Sequence, residues 1–389
     1  ISLMEESMRR WVKVSLGLGG VIIIAAGIGV GWFAGKTGPI GSGFVAKYIC
    51  SSTFISGRDP GPVFAEDVKP ANPLAAFGSY SIDHEEKSVT GSLFGMFDLK
   101  AVYREGCGCS LVVGTSEEAM HRQKLVPPDF ARNRPAHRKD HPWPAGSAAA
   151  DTRQVEGIDM AKIETAIDAA FAESSPENLR KTRAVVVIHD GKLIAERYAP
   201  GFHQDMPLLG WSMSKSVTNA LVGILVKEGK LDIMQPAPVP EWQSADDPRR
   251  RITIDQLLRM SSGLAFEEVY APLADATDML YGSYDFAAFA AGKSLEVEPD
   301  IKWYYSSGTA NIVARMVRQT VEKDYEYYYQ FLYEKLFDKI GMYSAIVEPD
   351  SSGTFVGSSY AHATPRDWAR FGLLYLQDGV WEGERILPE

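Results

Sequence analysis

The sequence has 389 residues, 45% hydrophobic, 23% charged and 11% aromatic, an ordinary globular balance that excludes wholesale disorder and can fill one large or two modest cores. With 50 acidic against 40 basic side chains the formal charge is −10, so the chain as a whole repels phosphate backbones and no nucleic-acid partner is expected. Cys50, Cys107 and Cys109 are too few for a disulfide scaffold and lack the paired CxxC spacing of a zinc site.

In chain order, the first predicted element is an uncharged run from Val14 to Ala34, VSLGLGGVIIIAAGIGVGWFA. At about 1.5 Å per residue it covers roughly 30 Å, the thickness of a bilayer's hydrocarbon. Arg9, Arg10 and Lys13 precede it and Lys36 follows. The positive-inside bias therefore predicts a single-pass inner (plasma) membrane protein whose N-terminus is cytoplasmic and whose remainder is periplasmic or extracellular. A cleaved signal peptide is the competing reading; the long run and the poor cleavage site at Trp32-Phe33-Ala34 favour an uncleaved anchor over residues 1–36. Gly27, Gly31 and Gly35 stand four apart, a spacing that admits a second helix but is common in membrane helices. Export would let a disulfide persist, with Cys50 pairing with Cys109 or Cys107.

Residues 37–123 alternate short apolar runs with turn residues, as in SVTGSLFGMFDLKAVYR and CSLVVG, and predict a small β-rich module without a catalytic pattern. Residues 124–152 carry prolines at 127, 128, 135, 142 and 144 and read as a linker. His137 and His141 lie four apart within it, and flanking prolines make a metal-binding helix the poorer reading beside a solvated polar tract. From Ile158, the spacing of Ile163, Ala166, Ile167, Ala170 and Phe171 predicts an amphipathic helix. Arg183–Tyr198 then predicts a hairpin turning at Asp190-Gly191, and Ser212–Glu228 a helix stopped by Lys227 and Gly229. Helix, antiparallel hairpin and helix in that order indicate an α+β fold.

Chemistry enters at Ser212-Met213-Ser214-Lys215. Residues three apart share a helix face, so Lys215 can reach the Ser212 hydroxyl. A lysine in a helix's first turn meets the positive end of the dipole, which favours its neutral amine, as burial would. Such an amine is a base for the serine, and the Ser212 N–H would point to a developing oxyanion. SxxK on its own is a weak signal, since a capping serine and a snorkelling lysine give the same letters.

Context adds specificity. Trp211–Lys215 after a hairpin, ITIDQLLRMSSGL from Ile252, P-x-x-x-W-x-Y-S-S-G from Pro299 and GSSYAHATPRDWARFG from Gly357 together resemble the serine β-lactamase and penicillin-recognising superfamily, in its class C-related esterase and 6-aminohexanoate-dimer hydrolase branch. The resemblance runs from about Arg183 to Glu389. It implies a β-lactamase/transpeptidase-like domain over 153–389, an antiparallel sheet flanked by helices with a helical subdomain. Residue by residue, it implies that Ser212 is the acylated nucleophile, Lys215 the adjacent base and Tyr305 the phenol that shares proton transfer. Ser307 stands where many members carry a substrate-binding Asn, a departure that weakens β-lactam hydrolysis in particular. A Lys/His-x-Gly strand should follow the last matching segment, and the sequence ends at Glu389 before it; a fragment of a longer domain is the expected explanation.

Other signals are weaker. Gly210-Trp211-Ser212-Met213-Ser214 fails as a nucleophile elbow because Ser214 replaces Gly. Tyrosines 325, 327, 328, 329 and 333, with Phe331, Leu332 and Leu336, predict a packed helical face rather than a ligand box. The expected activity is hydrolysis of a small ester or amide through an acyl-enzyme, with no cofactor and no metal. The rival is a non-catalytic scaffold of the same fold in a membrane complex, docking to a membrane-protein partner.

Overall fold

Helix α1 (Ser2–Phe54) opens the chain. The computed structural model describes residues 2–71, 73–148, 156–176 and 178–389, with backbone alone at 2–26, 30, 73 and 74. Positions 14–26 and 30 of the predicted membrane run lie outside the residues whose side chains are described, and among the described residues no helix is long and apolar enough to cross a membrane. Beyond Lys36 the helix changes character: Ile28, Trp32 and Phe33 are exposed, whereas Val45, Ala46, Ile49 and Cys50 are fully buried. Pro39 lies inside the helix, and two residues before it the Thr37 hydroxyl donates to the Phe33 carbonyl (2.9 Å).

What buries this second half of α1 is a four-stranded antiparallel sheet in sequential order, β1 (Gly78–Asp83), β2 (Ser88–Leu93), β3 (Phe97–Arg104) and β4 (Gly108–Leu111). Gly91 on β2 lets the helix lie flat, because a Cβ there would collide with the backbone of Ser42 and Ala46. A disulfide, Cys50–Cys109, staples helix to sheet, and Cys107 is free and buried. The predicted β-rich module is thus a sheet wrapped on a helix, and its residues 37–54 are helical because the α1 repeat runs on past Lys36.

Residues 124–152, expected as a linker, carry the short parallel pair β5 (Arg138–Pro142) and β6 (Gly146–Ala148). Up to residue 148 they are strapped onto the following domain: Arg134 donates to the Tyr343 carbonyl (2.9 Å), Trp143 to that of Arg366 (3.2 Å), and the His137 ring packs tilted on Tyr343 at 4.6 Å.

The remainder begins with α2 (Met160–Phe171) and the antiparallel hairpin β7 (Ala184–His189) and β8 (Lys192–Tyr198). Asp190 and Gly191 make the turn with φ of 49° and 71°, the left-handed pair that Asp-Gly tolerates best. Strand β9 (Leu208–Leu209) leads into α3 (Met213–Lys227), which ends at a left-handed Gly229. Helices α4 (Asp275–Gly282) and α5 (Ser307–Val321) build a helical subdomain with the shorter Phe286–Ala291. Ile312, Val313, Met316 and Val317 of α5 are buried at its centre, each contributing about 1.5–3 kcal/mol. Strands β10 (Ile346–Val347) and β11 (Ala361–Ala363) join β9 in the order β10-β11-β9, and α6 (Pro365–Leu376) packs against β7. The tyrosine-rich segment is not one regular helix: Tyr329–Leu332 passes into a π-helical turn, Tyr333–Phe337. That geometry lets Tyr328, Tyr329 and Tyr333 bury their rings while each hydroxyl meets a carbonyl, of Gly353, Val347 and Gly106 at 2.7, 2.9 and 3.1 Å.

Candidate active site

The register of β9 against β11 aims the chain into α3. Leu209 pairs with His362, and the Gly210 N–H donates to the Ala361 carbonyl at 2.8 Å. The next residue, Trp211, has φ of +44°, a left-handed conformation that costs an aromatic residue on the order of 1 kcal/mol or more. Two bonds hold it there: the Trp211 carbonyl accepts from the Ser214 hydroxyl (2.7 Å) and N–H (3.0 Å). The Ser214 oxygen in turn accepts from the Ala361 N–H (3.0 Å). This turn leaves Ser212 exposed at the N-cap of α3.

One turn on, Lys215 points back at that serine. Its Nζ lies 3.3 Å from Ser212 Oγ, 3.1 Å from Ser307 Oγ, 3.0 Å from the Ser358 carbonyl and 4.7 Å from the centre of the Tyr305 ring. The four residues singled out in the sequence therefore meet around one amine. Tyr305 presents its face to Lys215, and among the described residues its hydroxyl makes no hydrogen bond. Ser307 opens α5, where its hydroxyl and N–H both donate to the Glu268 carboxylate at 2.6 Å. Lys215 is thus one hydroxyl away from a carboxylate.

The Ser358 carbonyl is placed by close packing. Gly357 lies where a Cβ would come within 2.6 Å of Thr218 Oγ1 and 2.8 Å of Ala314 Cβ. The Asn311 amide grips Ser358, accepting from its N–H (3.3 Å) and donating to its hydroxyl (3.1 Å). Beneath this segment lies a second, buried amine, Lys47 of α1, paired with Glu348 and 2.9 Å from Ser51 Oγ. Glu348 also accepts from Ser51 (2.8 Å) and the Cys109 N–H (2.7 Å), and Lys47 sits 4.1 Å from the centre of the Tyr360 ring. Burial lowers the pKa of Lys47 against the opposing pull of Glu348. It also drives His362, 3.6 Å from Glu348, down to about 4.

Glu268, Glu348 and Lys47 escaped sequence reasoning. Glu268 sits in an unremarked FEEVY run and Lys47 among ordinary helix residues; their partners are distant in sequence, so no local pattern marks them. The described residues hold no cluster of metal-ligating side chains.

Residues 167–388 match the family model described as Beta-lactamase. Over 226 residues the chain is 28% identical to the 6-aminohexanoate-dimer hydrolase of Paenarthrobacter ureafaciens, covering 54% of this chain and 55% of that one, so it spans about half the length of this curated relative. Solved structures that resemble it include a Bacillus anthracis protein provisionally named 6-aminohexanoate-dimer hydrolase (24% identity, 62% of each chain, TM-score 0.49). Another is a D-stereospecific amidohydrolase from a Streptomyces species (20% identity, 60% of this chain and 75% of that one, TM-score 0.44). The family match takes in more than half of the sequence, from α2 through the serine turn to the last described residues, and the chain accordingly belongs to the β-lactamase family, with its α+β, transpeptidase-like fold.

Proposed function

We propose that the protein is a membrane-anchored serine hydrolase that cleaves an ester or amide through an acyl-enzyme. Ser212 Oγ attacks the substrate carbonyl and its proton passes to Lys215, whose charge Ser307 and Glu268 then help to carry. The Ser212 N–H, at the N-terminal end of α3, is available to the oxyanion. As the bond from carbon to the leaving group breaks, that group takes the proton from Lys215, relayed by the Tyr305 phenol. Water attacks the acyl-enzyme, the bond to Oγ breaks, and the acid departs with the Ser212 hydroxyl restored. The observation that carries this reading is the Lys215 amine lying within reach of Ser212 Oγ and over the Tyr305 ring. Linear substrates are favoured over β-lactams because Ser307, a short hydroxyl already donating to Glu268, replaces the longer amide; the name of the Paenarthrobacter relative, a dimer hydrolase, agrees.

The anchoring rests on the uncharged 14–34 run and its basic N-terminal flank, which would put the hydrolase outside the cytoplasm, where the Cys50–Cys109 disulfide persists. An alkyne-tagged fluorophosphonate applied to membranes containing the full chain should label Ser212, located by peptide mass spectrometry, and label nothing in Ser212→Ala. No labelling of folded protein, under conditions where a control hydrolase reacts, rejects the enzyme and leaves a scaffold of the same fold.

A further inference from the structure

Ser212 lies where two cavities meet. One, of about 590 Å³, has Lys215 and Tyr305 on its wall. The other, of about 500 Å³, is walled on one side by Ile40, Phe44 and Tyr48 of α1 and on the other by Trp211, Tyr270 and Tyr281. Its α1 residues repeat every four positions, so they form one stripe along the helix. The upper end of the stripe lies about 10 Å along the axis from Phe33, itself exposed next to exposed Trp32.

The second cavity is predominantly apolar, and most of its polar groups are already engaged. Asp67 reaches it, but Arg58 and Arg183 hold that carboxylate at 2.7 and 2.8 Å. The Thr37 and Thr277 hydroxyls are each committed to a carbonyl of their own helix or its cap, of Phe33 and Ala274, both at 2.9 Å. Tyr270 donates to Glu268 at 3.1 Å. What remains facing the space is largely aromatic and aliphatic carbon, interrupted by the Tyr48 and Tyr281 phenols and by the Ser212 hydroxyl at its edge. A leaving group needs a proton donor beside it, and Tyr305 and Lys215 stand on the first cavity; the second is left for the part of the substrate that needs none.

From this we propose that the α1-walled cavity holds the apolar acyl chain of the substrate. The protein then hydrolyses esters or amides of medium to long acyl groups, with Ile40 and Phe44 setting the chain length. The inference rests on the hydrolase reading above and extends it to a substrate class; a volume of this size holds a ligand of several carbons without rearrangement.

The test uses the full chain in detergent with p-nitrophenyl esters from acetate to decanoate. Each methylene entering an apolar cavity is worth about a threefold to fourfold gain in affinity, so kcat/KM should rise about tenfold if only two of the six methylenes added between acetate and octanoate enter it, and several hundredfold or more if all six do. Ile40→Trp, which fills the upper cavity, should lower octanoate turnover about tenfold more than acetate turnover, and Phe44→Ala should move the optimum to longer chains. A flat or falling profile in an enzyme that cleaves acetate overturns the proposal. Should no ester be cleaved at all, the hydrolase reading fails instead, and the cavity is still read by decanoate displacing bound 1-aminoanthracene from Ser212→Ala. Saturable displacement that Ile40→Trp abolishes supports it, and none overturns it. The same enzyme presented with dioleoylphosphatidylcholine vesicles separates the sources of such a chain: released oleate points to membrane lipid, and turnover of the soluble esters alone to a dissolved substrate, either outcome supporting the acyl cavity.

Discussion

Two lysines touch the segment from Gly357 to Ala361, Lys215 at the Ser358 carbonyl and Lys47 at the Tyr360 ring, and their surroundings differ in kind. Lys47 is sealed between α1 and β10-β11 against a carboxylate, with a serine and a tyrosine ring completing its shell. Lys215 opens onto a cavity, and its direct partners are two hydroxyls, a carbonyl and a ring face, the nearest carboxylate being one hydroxyl removed. A carboxylate in direct contact pulls toward the ammonium and, even where burial opposes it, ties the side chain into the architecture. Neutral oxygens hold an amine in place without pairing its charge. On the function proposed above, the same residue type serves architecture in one place and chemistry in the other, and the partner decides which.

Exchanging these partners should break the contrast most visibly. Lys215→Ala should lower acylation by about 1,000-fold or more, measured as the rate of fluorophosphonate labelling, while the melting temperature stays within about 2 °C. Lys47→Met should do the reverse. It leaves Glu348 buried and unpaired and should cost about 3–5 kcal/mol of stability in a denaturant titration, much of it regained in Lys47→Met/Glu348→Gln. If Lys47→Met folds stably and loses only activity, the division of labour between the two amines is wrong.

The Cys50–Cys109 bridge ties α1 to β4, whose Cys109 N–H donates to the Glu348 of the Lys47 cluster, and it closes a loop with a sequence separation of 59. Replacing both cysteines by serine should remove about 4 kcal/mol on the chain-entropy scale, checked by comparing unfolding of wild type and variant with and without reductant. The gap between them should vanish under reductant.

A smaller effect sharpens the picture by pH. His362 titrates near 6.5 when unfolded and at about 4 in the fold, because burial excludes its charge. Between those values the unfolded chain binds the proton and the folded one does not, so stability falls as pH drops from about 6.5 to 4, by up to about 3 kcal/mol from this residue alone. His362→Gln should flatten that part of the acid-side loss, read as the unfolding midpoint against pH.

How far the sequence reaches follows from which interactions are local. The Asp190-Gly191 turn, the end of α3 at Gly229 and the spacing of Ser212 and Lys215 depend on neighbours a few residues away, and each can be read from letters. Glu268 acts at Ser307, 39 positions on, and Lys47 at Glu348, 301 positions on; nothing in the local period of either segment announces its partner. The proline-rich stretch 124–152 shows the same limit from the other side. Its composition argues against regular structure, yet Arg370 of α6 donates to the Pro144 and Gly146 carbonyls at 3.0 and 2.8 Å, and tertiary contacts rather than propensity tie it down.

On the anchoring proposed here, the unbroken course of α1 has a geometric consequence. The rod that would leave the bilayer near Ala34 is the rod that carries Tyr48 to the side of the nucleophile, with no loop for the domain to swing on. The serine would ride at a set altitude, about 20 Å along the axis from that exit point, and tilting the rod would tip the mouth of the cleft with it. Such an enzyme patrols a thin shell parallel to the surface instead of sweeping a volume, and what it meets is decided by posture, not by reach.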